Sequence, residues 1–130
     1  MKQRFRYDRS KSPAAPILPV RIGVTAGRRE AALAAIVDTG ADISVIPAAL
    51  AKDLHLPVVG EVTVRGLIGS ERVPLYGTEI EVAGVGVPVQ VAGMGAHTLV
   101  GRDVLNRWTL VLRGPQEALE IESGGADGSS

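Results

Sequence analysis

Glycine and proline interrupt this chain so often that its fold has to be assembled largely from short pieces. Its 130 residues include 16 Gly and 8 Pro, and the runs between them are rich in Val, Ile, Leu and Ala. Hydrophobic residues make up 45% of the chain but aromatics only 3%, so the core must be built of small and β-branched side chains. Such side chains suit a pleated surface. Short apolar runs bounded by turn residues read as strands joined by tight turns. At this length one domain is the expectation.

A pass along the chain gives the pieces. Ile17–Val24 and Ala31–Val37 read as strands around a turn at Thr25–Arg29, and Ile43–Ile46 as a short strand. Pro47–Leu54 is the best helix candidate, with Pro in the first turn followed by good helix formers. Val62–Leu67 and Glu71–Val82 flank Ile68-Gly69-Ser70 as a hairpin with glycine at its tip. Val85–Ala92 and Thr98–Val100 are further strands, Asp103–Arg107 one helical turn, and Trp108–Arg113 with Ala118–Glu122 a closing hairpin. The body is mainly β with one or two short helices. Residues 1–16 are polar and basic and read as a flexible arm. The folded domain spans 17–122, and 123–130 is a disordered tail by composition.

Charge is divided unevenly. The net charge is zero, yet residues 1–29 carry +7 and residues 30–130 carry −7. With no cysteine, disulfides, thiolate zinc sites and a cysteine nucleophile are excluded. That fits a reducing compartment, and a cytoplasmic location is the expectation. No stretch approaches the roughly 18 apolar residues that cross a bilayer, and no signal-peptide pattern is read at the N-terminus.

The chemistry concentrates in Ala34-Ala35-Ile36-Val37-Asp38-Thr39-Gly40-Ala41-Asp42-Ile43-Ser44-Val45-Ile46. An apolar strand runs straight into an aspartate, turns at Thr39-Gly40 and returns to apolar residues. Placing a carboxylate there costs several kcal/mol unless it is paired or hydrogen-bonded. Gly40 lets the backbone turn sharply, and the Thr39 hydroxyl can make a local bond. Two such carboxylates brought face to face cannot both ionise. They share a proton, one acting as general base on a water and the other polarising a carbonyl. Asp-Thr-Gly arises by chance in roughly 3% of chains this long, so its surroundings have to decide.

From Ile36 to Leu112 the chain resembles the retropepsin family, the single-domain aspartic proteases of retroviruses and their bacterial relatives. Val37-Asp38-Thr39-Gly40-Ala41-Asp42 resembles the family's catalytic loop. Gly66-Leu67-Ile68-Gly69-Ser70 resembles its flap, and Leu99-Val100-Gly101-Arg102-Asp103-Val104-Leu105 its apolar-apolar-Gly-Arg-Asp/Asn segment, in the family's order. The resemblance implies a closed, small β-barrel-like acid-protease fold. It assigns Asp38, Thr39 and Gly40 to catalysis and Ala41, Asp42, Ile68, Gly69 and Leu99 to substrate binding. Arg102 becomes a structural brace contacting Asp42. Ile36, Val45, Ile68, His97 and Leu99 are expected to wall an apolar cleft. His55 reads as a surface residue, Trp108 as core, and neither Ser44 nor Ser70 as a nucleophile.

One Asp-Thr-Gly per chain implies a homodimer in which each copy supplies one aspartate. The expected activity is cleavage of a polypeptide by water, with no metal and no cofactor and no membrane partner. Two other readings stand beside it. A retropepsin fold can serve as a non-catalytic dimerisation or peptide-binding module. The basic arm, with Phe5 and Tyr7 interleaved, could grip a nucleic-acid backbone, though a solubilising extension or a pro-segment is the more ordinary reading.

Overall fold

The computed structural model describes residues 2–23 and 30–123. The proposed turn at Thr25–Arg29 and the tail beyond Ser123 lie outside the described residues. Among the described residues ten strands and two short α-helices follow one another: β1 (Lys2–Arg6), β2 (Ile17–Gly23), β3 (Glu30–Val37), β4 (Val45–Ile46), α1 (Ala48–Asp53), β5 (Val58–Gly66), β6 (Gly69–Val82), β7 (Val85–Gly93), β8 (Leu99–Val100), α2 (Arg102–Leu105), β9 (Trp108–Arg113) and β10 (Ala118–Ser123). The mainly-β expectation holds.

The larger sheet has the order β2-β3-β8-β4-β7-β6-β5, and β2 also pairs with β6. That last pairing, Val20↔Val82 to Gly23↔Glu79, closes six strands into a ring and leaves β5 attached outside it. Closure is the usual way a β protein removes free edges. Alternation drives it locally. In β2, Leu18, Val20 and Ile22 are buried while Pro19 and Arg21 face solvent, the period of two that a half-buried strand requires. The core joins Leu18 and Ile22 to Ile46, Ile80, Val91, Val100, Val104 and Leu105.

Two members of the ring, β4 and β8, are only two residues long. Strand β8 runs parallel to β3 (Ile36↔Leu99, Val37↔Val100). Strand β4 runs parallel to β7 (Val45↔Ala92, Ile46↔Gly93) and meets β8 antiparallel at Val45↔Leu99. This brings the ends of three distant segments together, and the loops that leave them become neighbours.

The helices follow their local signals. Helix α1 begins directly after Pro47, and its exit is marked by His55 in the left-handed region at φ 55°. Helix α2 starts one residue earlier than expected and is only four residues long.

The N-terminal arm is where the structure departs most from expectation. Lys2–Arg6 is not a flexible extension. It forms β1 and pairs antiparallel with β10, from Lys2↔Glu122 to Arg6↔Ala118. A second sheet results, in the order β1-β10-β9. Phe5 explains the docking. It packs against the core together with Trp108 and Leu110, while Lys2, Arg4 and Arg6 stay on the solvent face. Beyond it, Asp8 and Ala15 form an antiparallel bridge that ties down the connection to β2. The folded body therefore already includes Lys2–Arg6 and does not start at 17.

Candidate active site

Strand β3 delivers Val37 into the core and releases the next residue, Asp38, into a turn. The Asp38 backbone N–H donates to the Val100 carbonyl at 3.0 Å, so the parallel β3–β8 ladder continues one residue past the strand. The Asp38 carboxylate is half-buried, and its Oδ1 accepts from the Gly40 N–H at 3.1 Å. The Ala41 N–H donates to the Asp38 carbonyl at 3.2 Å. Aspartate is a turn residue because its side chain can mimic backbone in this way. Here the same bond fixes the direction of the carboxylate. Thr39, Gly40 and Asp42 are exposed, and Ala41 is half-buried.

A second segment, Gly101–Asp103, clamps this loop from below. The Arg102 N–H donates to the Ala41 carbonyl at 2.8 Å. A side chain at position 101 would put its Cβ 2.7 Å from the Ala41 carbonyl oxygen, so only glycine lets the two backbones meet. The Arg102 guanidinium donates from Nη1 to the Thr39 carbonyl at 2.9 Å. This corrects the expected brace. Arg102 does hold the loop, but at the Thr39 carbonyl, and none of the ion pairs among the described residues joins it to Asp42. The backbone bond to Ala41 seats the first turn of α2 against this loop, and the Arg102 side chain reaches the Thr39 carbonyl from there.

Sequence reasoning missed the most buried polar pair of the site. Ser44 has no exposed surface. Its Oγ–H donates to Asp103 Oδ1 at 2.7 Å and its N–H donates to Asp103 Oδ2 at 3.0 Å. The Ser44 Oγ in turn accepts from the Gly101 N–H at 3.0 Å. One carboxylate thus satisfies a hydroxyl and an amide on the outgoing arm of the Asp38 loop. A serine among Ile43, Val45 and Ile46 was the signal, since a buried hydroxyl has to find a partner.

The expected cleft walls are partly assembled. Directly opposed residues share a sheet face, so the registers Ile36↔Leu99, Leu99↔Val45 and Val45↔Ala92 make one apolar row. Ile36, Leu99 and Val45 are half-buried in it, while their neighbours Val37, Val100 and Ile46 point into the core. His97 is exposed in the loop before β8 and is not part of this row.

Strands β5 and β6 form the expected hairpin, with Gly66↔Gly69 as its last pair. The tip is therefore Leu67-Ile68, and Gly69 is the first residue of β6. Gly69 has φ 107°, a conformation that side chains resist and glycine accepts. Leu67 and Ile68 are both fully exposed, at 105% and 101%. Leu67 was not singled out in the sequence. A groove of about 360 Å³ lies between Val64, Ile68, Gly69, Glu71 and Met94. Across the hairpin, Arg72 donates to Glu61 Oε1 at 2.7 Å. Of the remaining expectations, His55 is exposed and Trp108 is half-buried against the core.

Comparison with known proteins bears on the same residues. A sequence model of the aspartyl protease family matches residues 19–104, a span that holds the Asp38 loop, the hairpin and Gly101–Asp103. The chain is similar in fold to EIAV protease complexed with the inhibitor HBY-793. That match has a TM-score of 0.57 and 25% identity, over 71% of this chain and 86% of that one. A retropepsin-like aspartic protease from Rickettsia conorii matches with a TM-score of 0.61 and 14% identity, over 92% and 98%. The protease of Simian Foamy Virus (mac) matches with a TM-score of 0.53 and 21% identity, over 69% and 91%. Comparison with curated proteins gives no match. With loop, hairpin and clamp all inside the matched span, the chain belongs to the aspartyl protease family and has the retropepsin fold.

Proposed function

We propose that this protein is an aspartic endopeptidase that hydrolyses peptide bonds as a homodimer, each chain contributing Asp38. The observation that carries the reading is the way Asp38 is presented. Its carboxylate stands at the end of a core strand, aimed by the Gly40 N–H, on a loop clamped at Thr39, Ala41 and Ser44. An apolar row lies along the neighbouring strands, and a glycine-tipped hairpin is available to fold over a bound peptide.

The chemistry follows from bringing two such loops together. Two carboxylates in contact hold one proton between them. The ionised one removes a proton from a water held by both, and that water attacks the scissile carbonyl carbon. The protonated one donates a hydrogen bond to the carbonyl oxygen as charge develops on it. The proton taken from water then passes to the departing amine. Thr39 and Gly40 shape the turn. Ala41, Asp42 and Leu99 flank the scissile segment, and Ile68 and Gly69 close over it. Localisation in the cytoplasm accords with the cysteine-free composition and belongs to the same proposal.

Asp38→Asn tests the reading. Asparagine keeps the shape and the bond from Gly40 but cannot serve as a base. Cleavage of an unfolded protein should vanish while thermal unfolding and dimer content stay as in the wild type. Retained cleavage by a pure Asp38→Asn homodimer would remove Asp38 from the reaction.

A further inference from the structure

We infer that Glu71 selects the substrate: its carboxylate receives the charged end of a lysine or arginine of the bound peptide, beneath the β5–β6 hairpin. The inference rests on the peptidase reading above and names the class of peptide that the site takes.

Register places Glu71 on the cleft side of the hairpin. The apolar row of Ile36, Leu99, Val45 and Ala92 continues to Leu75, which pairs with Ala92. Residues two apart on a strand share a face, so Leu75, Val73 and Glu71 carry that face outward along β6. Val64 stands directly opposite Glu71, and Val62 opposite Val73. Burial agrees. Val62 and Val64 are half-buried and Val73 is buried, whereas Glu61, Thr63, Arg65 and Arg72 on the other face are exposed. A single carboxylate thus interrupts an otherwise apolar face.

The chain does not neutralise it. Among the described residues no hydrogen bond or ion pair reaches the Glu71 side chain. The two arginines of the hairpin, Arg65 and Arg72, belong to the opposite face, and Arg72 is engaged there by Glu61 at 2.7 Å.

The surroundings decide which cation fits. Glu71 lines the groove of about 360 Å³ together with Val64, Ile68 and Met94. Met94 lies just past β7 and its N–H donates to the Ile46 carbonyl at 2.9 Å, so the groove opens beside the end of β4. A divalent metal ion needs several oxygen ligands, and one carboxylate does not supply them. Lysine and arginine are long enough to lay an apolar stem on Val64, Ile68 and Met94 while the charged end meets the carboxylate. An acidic side chain is repelled there. Closing the hairpin over the peptide withdraws the pair from water, which strengthens the attraction. In a twofold dimer each hairpin brings its own Glu71, so the preference falls at two positions, one on each side of the scissile bond.

The test uses one peptide in three forms. Digestion of an unfolded protein locates a cleaved site with lysine near the scissile bond. Peptides spanning that site then carry lysine, norleucine or glutamate at the same position. Norleucine keeps the apolar stem and removes the charge. The wild type should cleave the lysine peptide with kcat/KM about tenfold above the norleucine peptide, the scale of one hydrogen bond to a charged group. Glu71→Gln should bring the two values together. Glu71→Lys should invert the order and make the glutamate peptide the best of the three, a gain that a damaged fold cannot produce. Cleaved sites with no excess of lysine or arginine overturn the role of Glu71 and leave the peptidase standing. Equal cleavage of the lysine and norleucine peptides by the wild type does the same, as does a lysine preference that survives in Glu71→Gln. A wild type that cleaves neither peptides nor unfolded protein overturns the peptidase reading and this substrate class with it.

Discussion

Ser44 and Asp103 do for the active loop what a side-chain cap does for a helix: they satisfy polar groups that the turn would otherwise leave stranded. Ser44→Ala removes an acceptor for the Gly101 N–H and a donor for Asp103 Oδ1. Leaving such groups buried without partners costs about 1–3 kcal/mol. A loss of about 2 kcal/mol in urea unfolding is expected, with kcat falling more than KM changes because the loop is mispositioned. Asp103→Asn is not a silent exchange. Its amide can accept from the Ser44 N–H, but its NH₂ then faces a hydroxyl that already accepts from Gly101, and the serine proton loses its acceptor. The variant should fall between wild type and Asp103→Ala in both stability and kcat.

Glu120 provides a second residue-level expectation. It is buried on the solvent side of its sheet, bridged by Arg113 at 3.1 Å and Arg4 at 3.4 Å, so one carboxylate ties β10 to both flanking strands. The hydrogen bond from Arg113 holds its pKa below the usual 4.5, against the opposing effect of burial. A lowered folded-state pKa means that the stabilisation is complete above the unfolded value and is lost as pH falls through the lower folded one. The melting temperature should therefore drop as the solution is acidified below about pH 4.5. Glu120→Gln should flatten that drop, and an equal drop in the variant would assign it to other carboxylates.

At the scale of elements, the β5–β6 hairpin makes the clearest demand. Two fully exposed apolar side chains at its tip contribute little to the isolated fold, and surface changes of this kind stay within about 0.5 kcal/mol. Ile68→Ser should leave thermal stability unchanged and lower kcat/KM about tenfold, the scale of losing one apolar contact of 1–2 kcal/mol in the closed state. Unchanged kinetics would make the hairpin ordinary surface. The elements differ in how far they could be read in advance. Strands β2, β3 and β7 announced themselves as short apolar runs between turn residues, and α1 by Pro47 and the alanines after it. The Asp38 loop stood out because a carboxylate ended an apolar strand. Strand β1 did not, because Lys2, Arg4 and Arg6 dominate a segment whose one anchoring side chain is Phe5. Nor did the partner of Arg102, which depends on the place where α2 seats against the Asp38 loop. Local pattern carries the first kind of information. The second is created only when segments far apart in the chain meet.

For the whole molecule, the proposed mechanism, with one catalytic aspartate from each of two chains, requires specific activity to fall on dilution. Below the dimer dissociation constant, activity should fall with the dimer fraction, as checked by rates over a range of enzyme concentration against sedimentation of the same samples. Because the proposed reaction needs the singly protonated pair, rate against pH should rise and then fall, with its maximum on the acid side of neutrality. A rate that climbs steadily into alkaline solution would point to another nucleophile. The β1–β10 pairing has a further consequence, for the order of events during synthesis. The Arg4–Glu120 contact spans 116 positions of sequence, so β1 leaves a ribosome well before the β10 it pairs with. An early-made strand then waits for its neighbour, and the β1-β10-β9 sheet stays incomplete until Ala118–Ser123 has been made.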